Sequence, residues 1–216
     1  MEKNKILTEA NVMQALDQCY RYVCNGIPRV SPPVTKMADD YRKTEADPSK
    51  AAKRMIHNQV LKCATSGFIT GFGGVLSLPV TIPANVGSVL YVQMRMIACT
   101  AYLAGFDLSH DEVQTLIYTC LAGLSMDEFV KSTGIKLGTK VARKAIEKIP
   151  GKTLTKINQK VGFRLVTKFG EKGIVNMGKL IPGVGGIVGG SFDYVETKAV
   201  GKRAYDIFFL IGYEAQ

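Results

Sequence analysis

Apolar and polar positions divide this chain around one long uncharged stretch, Cys63 to Met94, bounded by Lys62 and Arg95. Pro79 and Pro83 interrupt it, and each proline removes a backbone donor and crowds the turn before it. The pattern therefore predicts two apolar helices joined by a Pro-bounded elbow. A membrane-spanning helix needs roughly 20 consecutive apolar residues. The first half, Cys63 to Leu78, is too short and carries Gly67, Gly71, Gly73 and Gly74. The second half, from Ala84, meets Arg95 in mid-helix, where a guanidinium at bilayer depth costs about 3 kcal/mol. A buried hairpin is the expectation, with a re-entrant or conditionally inserting one as its alternative.

Helical spacing continues on both sides. Thr8 to Cys24 carries an apolar stripe (Val12, Leu16, Cys19, Tyr20, Val23) that Asn25-Gly26 and Pro28 terminate. Residues 26–33, GIPRVSPP, read as an irregular connector, and a short helix follows from about Thr35 to Thr44. Asp47-Pro48 is an N-cap followed by a first-turn proline. The helix from Ala84 should end at Gly105. Ser109 to Glu112 and Ser125 to Glu128 both have capping-box spacing, the second opening a helix that extends to Ile149 before Pro150-Gly151. Residues 152–169 form a further amphipathic helix. Strand-like alternation is scarce. The predicted fold is all-α: a single compact bundle of about eight or nine helices, with the Pro-broken apolar hairpin and a glycine-rich C-terminal helix.

Charge changes the picture, because the net +10 is local. Residues 1–130 are balanced, whereas residues 131–179 hold 13 Lys/Arg against only Glu147 and Glu171. A basic side chain recurs every fourth position through Lys140, Lys144, Lys148, Lys152, Lys156, Lys160, Arg164 and Lys168. Four residues advance 400° on a helix, so the row stays on one side of each helix and drifts slowly. Such basic amphipathic helices suit an anionic membrane surface. Nucleic acid is a weaker candidate, since Phe163 and Phe169 are the only aromatics there and no helix-turn-helix or zinc pattern appears. A merely solvated face is the third possibility. The five cysteines form no framework, and the polar start MEKNKILTEANV lacks a secretory leader's apolar segment. Reduced thiols in a cytoplasmic protein are expected.

Little in the sequence carries chemistry. Only His57 and His110 exist, and no C-x-x-C, H-E-x-x-H or G-x-S-x-G pattern is present. No metal and no cofactor is expected. The run Pro182 to Gly190 fails both the P-loop and the dinucleotide spacing. Its overlapping pairs Gly185/Gly189 and Gly186/Gly190, with Gly67/Gly71, instead offer flat faces for close helix packing. Gln93, Arg95, Asp193 and Glu196 are the polar groups expected to be buried. Arg95 should find a carboxylate, Asp193 or Glu196, as a structural ion pair or as part of a polar pocket.

Two stretches resemble a known family. GFITGFGGVLSLPVTIPANVGSVLYVQMRMIACTAYLAGFDLSHDEV, and the segment from IPGKTLTKINQKVGFRLVTKFG to the Gly-Gly-rich helix ending Thr197-x-x-x-Gly201, are similar to the EcsC family of bacterial proteins. The resemblance runs from about residue 50 to 210. It implies a helical fold and a membrane-adjacent setting, the founding member being encoded beside an ABC transporter, and it transfers no catalytic residue. Residues 1–46 are read as an N-terminal helical extension to an EcsC-like domain over 47–216. The expected function is that of a non-enzymatic cytoplasmic protein, peripheral on the inner membrane face, acting on anionic lipid or with a membrane complex such as a transporter. Lys140, Lys144, Lys148, Lys156, Lys160, Arg164 and Lys168 supply the attraction. The rival is an enzyme or small-ligand module built on a polar pocket at Arg95, Asp193 and Glu196.

Overall fold

The computed structural model describes residues 8–64, 84–135, 142–169 and 188–210. Among these are nine α-helices: α1 (Glu9–Asn25), α2 (Val34–Thr44), α3 (Pro48–Ala64), α4 (Ala84–Leu103), α5 (Asp111–Leu121), α6 (Met126–Thr133), α7 (Ala142–Ile146), α8 (Gly151–Phe169) and α9 (Val188–Tyr205). A π-helical turn, Asp206–Leu210, continues α9. The described residues contain no strand, so the all-α expectation holds. The Pro-bounded elbow, Gly67, Gly71, Gly185 and Gly186 lie outside the described residues.

Local chemistry explains the ends of these helices. Thr8 Oγ1 accepts the Asn11 N–H at 3.2 Å to open α1. Gly26 closes it with φ 77°, and a Cβ there would stand 2.7 Å from the Ser31 carbonyl oxygen, so the turn demands glycine. The connector folds back on itself through paired Ile27–Ser31 hydrogen bonds. Asp47 Oδ1 accepts from the N–H groups of Ser49 and Lys50 at 2.8 and 3.2 Å, which starts α3 at Pro48. At α6 the capping box is complete: Ser125 Oγ accepts the Glu128 N–H, and Glu128 Oε2 accepts the Ser125 N–H.

Two expected boundaries move. Ser109 does not cap α5. The Asp107 carboxylate takes its N–H at 2.8 Å, and the helix begins two residues later, after His110, with Asp111 and Glu112 facing the positive helix end. The helix opened by Ser125 stops at Thr133 rather than running to Ile149, because Gly134 turns left-handed at φ 72°.

Helix α4 is the axis of the molecule. It packs against α1, α2, α3, α5 and α9, and most of its side chains from Leu90 to Leu103 are buried. Met94, Met96, Ile97 and Cys99 are fully enclosed, and each large aliphatic among them contributes about 1.5–3 kcal/mol by leaving water. The third layer, α8, lies against α1 and α5. On the other side α9 crosses α3 and α4 at Gly201, where a Cβ would fall 2.6 Å from Ile56 Cγ2 and 3.3 Å from Met96 Sδ. Close approach through glycine therefore operates in the C-terminal helix, one turn after the buried Thr197.

Gly201→Ala sets helix propensity, a gain of about 1 kcal/mol, against overpacking of a β-branched neighbour, a loss of about 1–3 kcal/mol. The expected result is a lower melting temperature by circular dichroism. Gly151→Ala, where nothing lies within 4 Å of the added carbon, should melt at or above the wild-type temperature. If both variants gain stability, the crossing at Gly201 is not tight.

Candidate functional site

Helix α8 carries the central part of the basic row. Leu154, Ile157, Val161 and Leu165 are buried against α1 and α5, which fixes how the helix is rotated. Lys152, Lys156 and Lys160 are exposed. Successive members drift about 40° each, so the row climbs from the solvent face towards the neighbouring helices. Arg164 has reached them: it donates to the Gly123 carbonyl at 2.7 Å and to Glu128 Oε1 at 2.7 Å. Lys168 has drifted further and pairs with Glu196 of α9. Lys160 donates to Ser132 Oγ at 3.1 Å while staying exposed. Lys144 and Lys148 are also exposed, and Lys140 lies outside the described residues.

Among these lysines stands Phe163, 61% exposed. At 100° per residue, Lys152, Lys156, Gln159, Lys160 and Thr167 all fall within about 60° of it. Phe163 thus shares the solvent-facing side of α8 with these lysines, at its C-terminal end and opposite the buried stripe. An isolated exposed apolar side chain needs no explanation. One that continues a row of exposed lysines on an amphipathic helix has the composition of an interfacial anchor.

The second candidate site is the cleft at Arg95. Residues two apart on a helix point in different directions, and α4 sends Gln93 and Arg95 to different neighbours. Gln93 faces α9, donating to Thr197 Oγ1 at 3.2 Å, with its Oε1 buried and unpartnered. Arg95, 9% exposed, faces the connector and α2. Its Nη1 donates to the Pro32 carbonyl at 2.6 Å and to Tyr91 Oη at 3.2 Å, and its Nε points at Met37 Sδ, 3.2 Å away. The expected carboxylate partner is therefore replaced by a carbonyl, a phenol and a thioether. Glu196 belongs to Lys168 instead, and the side chain of Asp193 lies outside the described residues. Ser31 Oγ and Tyr91 Oη, 2.5 Å apart, close the same corner.

A third polar feature has no counterpart in the sequence reading. Asp17 Oδ1 accepts from Tyr118 Oη at 2.8 Å and from Gln114 Nε2 at 3.1 Å, in a cavity of about 650 Å³ between α1, α5 and α8. Burial, with the Asp17 carboxylate beside it, pushes the Tyr118 phenol up and keeps it neutral. These three side chains satisfy one another, whereas Asn158 Oδ1, on the same cavity wall, is buried without a partner. Burial also pushes the Cys19, Cys99 and Cys120 thiols up to about 12, which makes them poor nucleophiles. Among the described residues no three His, Cys, Asp or Glu converge as metal ligands.

Residues 7–210 match the profile of the EcsC protein family. The chain belongs to the EcsC family. Neither a curated protein nor a solved structure matches it. The match begins at residue 7, well before the residue-50 start of the sequence resemblance, so it takes in α1 and α2. Both helices pack against α4 of this EcsC protein, and α1 also packs against α8. No break in packing separates residues before and after 46. Gly189 and Gly190 fall in the first turn of α9.

In this chain Arg164 holds the α8 face in place, bonding the segment after α5 and the first turn of α6. Hydrogen bonds from Ser125, first the backbone N–H and then the hydroxyl, together with the Arg164 charge, hold the Glu128 carboxyl below its ordinary value of 4.5. A lowered folded-state pKa means stability that is present above the unfolded value and lost as pH falls through the folded one. Glu128→Ala should therefore destabilise the protein by about 1 kcal/mol at neutral pH. The gap from wild type should narrow on acidification below 4.5. Melting curves of both proteins across the acid range check this. A gap that stays constant with pH would show that Glu128 acts through packing alone.

Proposed function

We propose that this EcsC-family protein is a non-enzymatic protein that docks peripherally on an anionic membrane surface through the exposed face of α8. The single observation that carries the reading is Phe163, exposed on the same face of α8 as Lys152, Lys156 and Lys160 and one turn beyond the last of them. Each lysine near an anionic leaflet is worth about 1 kcal/mol, and burying a phenylalanine about 1.5–3 kcal/mol. Their sum, on the order of 5 kcal/mol, corresponds to a dissociation constant between millimolar and micromolar. Attachment of that strength is reversible. It fits a peripheral protein, and no described helix is long and apolar enough to cross a membrane. The inner face of a cytoplasmic membrane, beside a transporter, is the setting this reading assigns.

Flotation with neutral and phosphatidylserine-containing vesicles tests it. Binding should need the anionic lipid and weaken with salt, as screening shortens the Debye length to about 8 Å at physiological ionic strength. Reversing Lys152, Lys156 and Lys160 to Glu should abolish binding with little change in melting temperature, since all three are exposed. Phe163→Ser should weaken it by roughly tenfold, the loss of about 1.4 kcal/mol of apolar burial, while leaving the fold intact. Wild-type protein that stays with neither vesicle would overturn the reading. A steep log–log salt dependence on duplex or single strands, without lipid binding, would transfer the face to nucleic acid.

A further inference from the structure

Arg95 carries a guanidinium cation, is nine-tenths buried, and touches three neutral acceptors. One acid that lines the same cleft is already engaged: Asp40 pairs with Lys36 at 3.3 Å and Lys43 at 2.9 Å on the exposed side of α2. A buried cation without a counter-charge is costly. The geometry of its partners is uneven in a way that matters. Nη1 spends both hydrogens on Pro32 and Tyr91. The opposite edge of the guanidinium, Nε with Nη2, is the fork that grips a carboxylate or phosphate with two parallel bonds. On that edge Nε meets only the Met37 thioether, a weak acceptor on a flexible stem. Nη2 donates to no described residue.

Arg95 lines a cleft of about 310 Å³ together with Met37, Tyr41, Gln59, Lys62, Tyr91 and Val92. That is the volume of about ten waters, enough for an oxyanion with a short apolar body. We infer that this cleft is a binding site for a small ligand bearing a carboxylate or phosphate group, which takes the Nε/Nη2 edge of Arg95 as Met37 swings aside. Tyr41 and Val92 then flank the ligand's apolar part. The site is separate from the α8 face, and its chemistry is shared by a soluble anion and a lipid headgroup.

Calorimetric titration and thermal shift with octanoate and with inorganic phosphate test the assignment, with octanol as the uncharged control. At least one anion should bind one-to-one and raise the melting temperature, while octanol should not. Arg95→Lys, which loses the fork, should bind at least tenfold more weakly. Should that variant fail to fold, Met37→Glu remains decisive. Its carboxylate reaches the position of the sulfur, so the free protein should melt higher than wild type and lose anion binding. Met37→Leu should keep binding. The same Met37→Glu change, made in the Lys152, Lys156 and Lys160 to Glu background that removes the α8 face and floated with phosphatidic acid vesicles beside that background alone, separates the sources. Vesicle binding lost together with anion binding assigns the oxyanion to a lipid headgroup, and vesicle binding retained assigns it to a soluble ligand. The inference is overturned if neither anion binds the wild type, or if Met37→Glu binds anion like wild type or melts lower.

Discussion

Helix α4 buries most of its side chains between Leu90 and Leu103, and α1, α2, α3, α5 and α9 are arranged to cover it. Coverage on that scale forces each polar group on α4 to find a specific partner, because an unmade buried hydrogen bond costs about 1–3 kcal/mol. Thr100 returns its hydroxyl to the Met96 carbonyl at 2.9 Å within the helix. Gln93 reaches Thr197, which ties α9 to the axis one turn before Gly201 lets the two helices close up. Arg95 reaches the Pro32 carbonyl, so the path of the 26–33 connector is set by the need to bring one carbonyl to one guanidinium. The left-handed turns at Gly26 and Arg29 serve that path.

Signals confined to a few neighbouring residues were legible in the sequence. Asp47-Pro48, the Ser125–Glu128 box and the turn at Gly26 stand as expected, since each depends on contacts within a turn of chain. Ser109 shows the limit even there: Asp107, two residues earlier, competes for the same N–H and wins. Gly134 carried its own stop signal inside the stretch read as one helix. Longer-range pairing was less legible for a physical reason. A charged residue in an apolar helix invites a search among oppositely charged side chains, whereas Arg95 is met by a carbonyl, a phenol and a sulfur. A backbone carbonyl leaves no mark in the sequence, and the helical phase that separates Gln93 from Arg95 shows only once each partner is known.

The basic row illustrates how periodicity is right in kind and incomplete in reach. Spacing of four does hold the lysines to one side, but a drift of about 40° per step carries Arg164 to Glu128 and Lys168 to Glu196. The row therefore has two halves with different work. Its late members clamp α8 to α5, α6 and α9, at least partly neutralised where they do so. Its early members, Lys152 to Lys160, project from a helix whose rotation those clamps and the buried stripe have fixed, so Phe163 is held outward rather than merely left there.

Why a cation sits in the axis at all is a question of energies. Replacing a buried charged group by a well-packed apolar one is often neutral or stabilising by about 1–4 kcal/mol, so closing the corner between α4 and the connector does not by itself call for arginine. Tyr91 and Ser31 already bridge the same two elements through their hydroxyls, 2.5 Å apart. What arginine adds is a second pair of donors, Nε and Nη2, beyond those spent on Pro32 and Tyr91, at a cleft the residue lines. A ligand that binds the folded state alone stabilises it by about 2.7 kcal/mol at a hundred times its dissociation constant, a gain of the same order as the cost of burying the charge. On that balance Arg95 is costly as a purely structural residue, and the ligand site proposed for its cleft would offset that cost.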